Sequence, residues 1–205
     1  MMIGDSYRYG IGATDVADAE AIQLGRLLGY ADIWNYTAVP STGVVKADTA
    51  NDFGKFSTRF ASDVIPYLTD GDVLVYSGSV NDGGLAAGTI QTQAAADLAA
   101  LRAALPGVTI LVTSPVYMTT PLASHLIVRS EMLAAASAAG LSFVDLMDTT
   151  LGIWFGTGNA SATAGDGNAD VNAVDVGGIH PTTVGARSIA YRERKLMAPL
   201  LGQAA

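Results

Sequence analysis

Apolar and polar positions along the chain switch repeatedly between a helical period and short continuous runs. Thr14 to Leu28 sets Val16, Ala19, Ile22, Leu24, Leu27 and Leu28 at mostly helical spacing, with Thr14 or Asp15 available to cap the start. Asp32 to Thr37 follows as a second strand after the apolar stub Met1 to Ile3, and a helix is expected from about Asn51 to Leu68. Asp72 to Ser77 has the continuous apolar character of a strand buried on both faces, and it runs into the glycine-rich segment Gly78 to Gly84. Thr89 to Leu105 is alanine-rich and free of breakers, hence helical. Val108 to Thr113 predicts a strand, Pro121 to Ala139 a helix, Ser142 to Asp145 a last short strand and Thr182 to Leu200 a closing helix. Strands separated by helices of this length pair in parallel through right-handed crossovers. The expected fold is therefore an α/β protein, a three-layer α/β/α sandwich around a five-stranded parallel sheet.

Composition narrows this picture without changing it. At 205 residues, 50% hydrophobic and 15% charged, the chain suits one domain, residues 1–205, with a substantial core. A net charge of -8 leaves no basic stripe for phosphates and disfavours nucleic-acid partners and anionic membranes alike. With no cysteine, disulfides, thiolate metal sites and a cysteine nucleophile are excluded. No apolar run is long enough to cross a bilayer. Met1-Met2-Ile3 runs straight into a Gly-Asp-Ser turn without a secretory leader, which suits a domain excised from a longer polypeptide. The compartment stays open, an extracellular one included.

In an open parallel sheet, ligands bind beyond the carboxyl ends of the strands. Gly4-Asp5-Ser6 follows the first expected strand, Ser41-Thr42-Gly43 lies in the loop after the second, and Ser79-Val80-Asn81-Asp82 follows the third. His180, one of two histidines, lies in the loop before the last helix. Ser6 and His180 supply the two groups acyl transfer needs most, a nucleophile and a base.

These blocks resemble the SGNH hydrolases, the GDSL-type esterase and lipase superfamily, in order and over essentially the whole chain. The resemblance implies a flavodoxin-like fold, with Ser6 in Gly4-Asp5-Ser6-Tyr7 as nucleophile and His180 in His180-Pro181-Thr182 as general base. It implies an oxyanion hole built from the Ser6 amide, the Asn81 side chain and one amide of the second block, for which Ser41 and Gly43 are both candidates. Two further departures from the family pattern stand out. Ser79 occupies the position two residues before the asparagine where the family usually has glycine, and Gly177 the position three before the histidine where it usually has aspartate. The nearest carboxylate is Asp175, with Asp170 further back. A shifted carboxylate can orient the imidazole if Gly177 and Gly178 let the loop bulge, giving a Ser6-His180-Asp175 triad. Otherwise Ser6 and His180 work as a dyad.

Other features take plainer readings. Asp5 and Asp82 are expected to brace their turns through backbone hydrogen bonds, and His125, on a helix without a supporting motif, to be a surface or structural residue. Asp166 to Asn172 alternates oxygen side chains like a calcium loop, but Val171 stands where glycine is wanted and Gly177 where a bidentate glutamate is. No cofactor or metal is expected. The resulting expectation is a carboxylic-ester hydrolase acting on a small acyl ester or acylated carbohydrate, most plausibly an acetylated one. The competing reading is a noncatalytic or weakly active carbohydrate-binding domain on the same fold.

Overall fold

The computed structural model describes residues 1–35, 38–117, 121–148 and 180–204. Four parallel strands lie in the order β1 (Met2–Ile3), β2 (Val73–Ser77), β3 (Thr109–Thr113) and β4 (Ser142–Val144). The helices are α1 (Ser6–Tyr9), α2 (Glu20–Leu27), α3 (Thr89–Ala104), α4 (Ala123–Ala139) and α5 (Thr183–Leu200). No helix among the described residues is long and apolar enough to cross a membrane.

Because successive strand residues point to opposite faces, β2 feeds two cores. Val75 joins Met2 and Leu111 against Leu24 of α2 and Ile189 and Met197 of α5. Leu74 and Tyr76 join Ile3, Ile110 and Val112 against Ile90, Leu98 and Leu101 of α3 and Met132 of α4. Burial on both faces explains why β2 reads as an unbroken apolar run. It also makes the molecule the expected three-layer sandwich. On α3 the buried positions Ile90, Ala94, Asp97, Leu98 and Leu101 follow the one-face spacing of a helix. Gly140, at φ +64, closes α4 in the left-handed conformation that a helix C-cap uses.

Three expectations need correction. The sheet has four strands among the described residues, not five, because Asp32 to Asn35 forms no ladder. The segment runs beside β1, where Met2 N–H donates to Trp34 C=O at 2.8 Å, and beyond it Val39 N–H donates to Gly4 C=O at 3.0 Å. The Asn35 side chain instead donates to the carbonyls of Arg8 and Tyr9, which ties this edge to α1. The expected helix from Thr14 is broken at Ala19, whose ψ of 143° separates a 3₁₀ turn at Val16–Asp18 from α2. Finally, Asn51 to Leu68 contains no α-helix. Phe56–Arg59 is 3₁₀, Phe60–Val64 a π turn and Ile65–Tyr67 3₁₀ again. Phe56, Phe60 and Val64 do bury on one side at helical spacing, but the backbone leaves the α-helical region at Val64, with φ -120 and ψ -65, and Pro66 has no amide with which to continue the ladder.

Candidate active site

Ser6 emerges directly from β1. Asp5 caps the short helix α1 by accepting from Tyr7 N–H at 3.1 Å, and Gly10, at φ +100, ends it. A side chain at Gly4 is excluded, since a Cβ there would stand 2.3 Å from Cγ of Arg8. Ser6 is nearly buried, at 8% exposure.

His180 arrives from the other end of the chain, with Nε2 at 2.9 Å from Ser6 Oγ. The turn after α1 holds it there. A Cβ on Gly12, which has φ +95, would lie 2.4 Å from Pro181 O and 3.1 Å from His180 Cβ, so backbone packs on backbone at this point. One step further, Thr14 N–H donates to Thr183 Oγ1 at 2.9 Å. Tyr7 adds a tilted ring 5.5 Å from the imidazole.

The second and third blocks meet behind the serine turn. Asn81 Nδ2 donates to Thr42 C=O at 3.0 Å, which fixes the orientation of the amide group. Ser79 Oγ lies 2.8 Å from Asp5 Oδ2 and 2.9 Å from the same Thr42 oxygen. Asp82 does not brace its own turn. Its carboxylate accepts from three successive amides of the second-block loop, Val44 at 2.8 Å, Val45 at 3.2 Å and Lys46 at 2.9 Å. Gly43 is glycine for this reason, because a Cβ would sit 2.5 Å from both Asp82 oxygens. Its amide donates to Lys46 C=O at 2.8 Å. Ser41 carries the left-handed backbone of the loop, at φ +62. Burial pushes both Asp5 and Asp82 upward, against the hydrogen bonds that favour their ionised forms. Both carboxyls are engaged by backbone donors, so they hold loops in place rather than offering a proton.

A buried charge cluster lies under the same turn. Arg8 Nη1 is 2.7 Å from both Glu20 Oε2 and Glu193 Oε2, and Arg8 Nε donates to Ser77 Oγ at 2.7 Å. All three charged side chains are essentially inaccessible. Burial pushes Glu20 well above the ordinary carboxylate range, with Glu193 adding to the rise and Arg8 opposing it. Burial also works against the Arg8 charge, but the two glutamates outweigh it and hold the guanidinium protonated.

Of the residues singled out from sequence, Ser6 and His180 are in contact, and Ser41, Gly43 and Asn81 share one loop system tied to Asp5. Asp175, Asp170, Gly177 and the segment Asp166 to Asn172 lie outside the described residues. His125 is buried, not on the surface. Its ring lies tilted against Tyr117, with centroids 4.3 Å apart, and desolvation lowers its pKa. Sequence reasoning missed Arg8, Glu20 and Glu193, and saw Ser79 only as a departure from a pattern.

Comparison with known proteins identifies the family and the fold. The model of the GDSL-like Lipase/Acylhydrolase family matches residues 2–187. No curated protein matches the chain. Among solved structures, Est24, a carbohydrate acetylesterase from Sinorhizobium meliloti, superposes with a TM-score of 0.68 at 15% identity, covering 97% of each chain. A family two carbohydrate esterase from Clostridium thermocellum, in complex with cellohexaose, gives 0.68 at 15% identity over 98% of this chain and 63% of its own. A carbohydrate esterase family 2 enzyme from Corynascus thermopiles (Myceliophthora fergusii), which also carries a carbohydrate binding domain, gives 0.67 at 16% over 98% and 65%. At such identities the likeness is one of fold.

Proposed function

The chain belongs to the GDSL-like lipase/acylhydrolase family and is a carboxylic-ester hydrolase, and on that premise we propose that it removes small acyl groups, acetyl foremost, from a carbohydrate. Ser6 is the nucleophile and His180 the general base. The observation that carries the assignment is the 2.9 Å contact between His180 Nε2 and Ser6 Oγ, the distance at which a neutral imidazole takes the hydroxyl proton. Oγ attacks the ester carbonyl while its proton passes to Nε2, and the tetrahedral oxyanion is met by N–H donors. These are the Ser6 amide, the Ser41 amide and Asn81 Nδ2, whose second hydrogen is left over once the first is held by Thr42 C=O. Of the two second-block candidates, Ser41 is favoured, because the Gly43 amide is already bonded to Lys46 C=O. Collapse of the intermediate expels the sugar alkoxide, which takes the proton from His180. Water then attacks the acyl-enzyme with His180 again as base, releasing the carboxylic acid and free Ser6.

The carbohydrate part of the reading is supported by the folds of Est24 and the two carbohydrate esterases, and the acetyl preference by Est24's activity. As to the third member, Asp175→Asn cuts the rate steeply if that carboxylate orients His180, whereas a Ser6-His180 dyad leaves it nearly silent. The direct test is burst release of nitrophenol from p-nitrophenyl acetate, its loss on treatment with a serine-directed phosphonate, and acetate release from an acetylated xylo-oligosaccharide. No burst and no labelling of Ser6 would sink the nucleophile assignment. Hydrolysis of long-chain esters without acetate release from the saccharide would sink the carbohydrate one.

A further inference from the structure

We propose that Ser79 is a positioning residue for the oxyanion hole, a role that rests on the esterase reading above. Its side chain is completely buried. Its Oγ stands at the meeting point of three loops, 2.8 Å from Asp5 Oδ2 next to the nucleophile, 2.9 Å from Thr42 C=O next to Ser41, and 3.1 Å from the Asn81 N–H that it accepts. Nothing about the backbone asks for glycine at this position, since Ser79 is extended at φ -122 and ψ 133. The tight approach falls one residue earlier, at Gly78, where a Cβ would meet Pro115 Cδ at 2.9 Å. The side chain at residue 79 is thus free to serve as a tie.

A hydroxyl has one proton, so Ser79 donates to Asp5 or to Thr42 while its lone pairs receive Asn81 N–H. In either state the oxygen fills the space between the three groups. Without it, Thr42 C=O keeps only the Asn81 side chain among these bonds, the Asn81 N–H loses its acceptor, and Asp5 Oδ2 keeps only Val80 N–H at 3.2 Å. The loops carrying the Ser41 amide and Asn81 Nδ2 then lose their common anchor. Oxyanion donors act mainly in the transition state, so their displacement lowers kcat and leaves KM nearly unchanged.

The test is steady-state hydrolysis of p-nitrophenyl acetate by Ser79→Gly, Ser79→Ala and Ser79→Thr, with kcat expressed per Ser6 site titrated by a serine-directed phosphonate. That normalisation removes misfolded molecules from the comparison. Ser79→Gly and Ser79→Ala are expected to lose about tenfold in kcat per titrated site with KM within about twofold of the parent, and Ser79→Thr, which keeps the hydroxyl, to recover most of the loss. Unchanged kcat per site in both the glycine and alanine variants overturns the proposal, as does a rise in KM with kcat intact. A parent protein without burst or labelling instead overturns the esterase reading itself, and is seen before any Ser79 variant is made.

Discussion

Nε2 of His180 and Oγ of Ser6 lie 2.9 Å apart although 174 positions separate them in the chain. The contact is held from the nucleophile's side, because the Gly10 to Thr14 turn that leaves α1 packs on the Pro181 backbone and bonds to Thr183. If this pair performs the chemistry, Ser6→Ala and His180→Ala each lower kcat/KM by at least about a thousandfold, and neither adds to the other in the double variant. Thermal melting followed by circular dichroism should find all three variants folded. Additive losses would mean that the two side chains act in separate steps.

If Asn81 donates to the oxyanion as proposed, Asn81→Ala should cost about 100-fold or more in kcat with little change in KM. The Thr42 carbonyl that held the side chain still has Ser79 Oγ at 2.9 Å as a donor, and Asp82 still holds the loop that follows, so the loss reports the missing Asn81 group. Stopped-flow measurement of the acylation rate on p-nitrophenyl acetate checks this. An unaltered rate would reduce the third block to a turn.

Asp82→Ala leaves three amides without their acceptor, the buried one of Val44 and the part-buried ones of Val45 and Lys46. Charge-assisted bonds of this kind contribute more than neutral ones, and the expected loss is about 2–4 kcal/mol in urea unfolding together with a fall in kcat. Gly43→Ala should reproduce part of both effects from the opposite side, by pushing a methyl group into the carboxylate. Variants with the parent's unfolding midpoint and kcat would show that the loop is held by other means.

Asp82, which braces a loop 36 to 38 positions away, marks the boundary of what the sequence reveals. Asp72 to Ser77 and the helices from Thr89 onward are legible because local apolar spacing and burial agree there. Asp32 to Asn35 misleads because Asn35 spends its side chain on α1, and 51 to 68 because the right apolar spacing is carried by a backbone that changes its winding at Arg59 and Val64. The Ser6–His180 contact was legible because a glycine-led turn and a histidine in a loop at strand ends carry their own chemistry. Its supports were not. Ser79 finds Asp5 across 74 positions, and Arg8, set between tyrosines on a four-residue helix, gives no local sign of burial until Glu20 and Glu193 arrive from α2 and α5.

The cluster around Arg8 makes the stability of the protein pH-dependent in a definite direction. Arg8 Nη1 reaches Oε2 of both glutamates, and among the described residues Oε1 of each lacks a hydrogen-bond donor. A single proton held by Glu20 and shared toward Glu193 supplies the missing donor and leaves the buried cluster neutral, in keeping with the strong upward shift of Glu20. An unfolded glutamate releases that proton near its ordinary value of 4.5, while the folded protein retains it. Between the two values the native state binds the extra proton, so this contribution is complete below 4.5 and is lost as pH rises toward the folded value. Glu20→Gln replaces the shared proton with a permanent amide donor. The variant should gain on the parent by up to about 1.4 kcal/mol per pH unit through that window, whatever Asp5, Asp82 and Asp97 add in common to both proteins. Urea unfolding of the two proteins from about pH 5 to about pH 9 measures the difference. Parallel stability curves would show that Glu20 is ionised in the native state and that Arg8 alone carries both carboxylates.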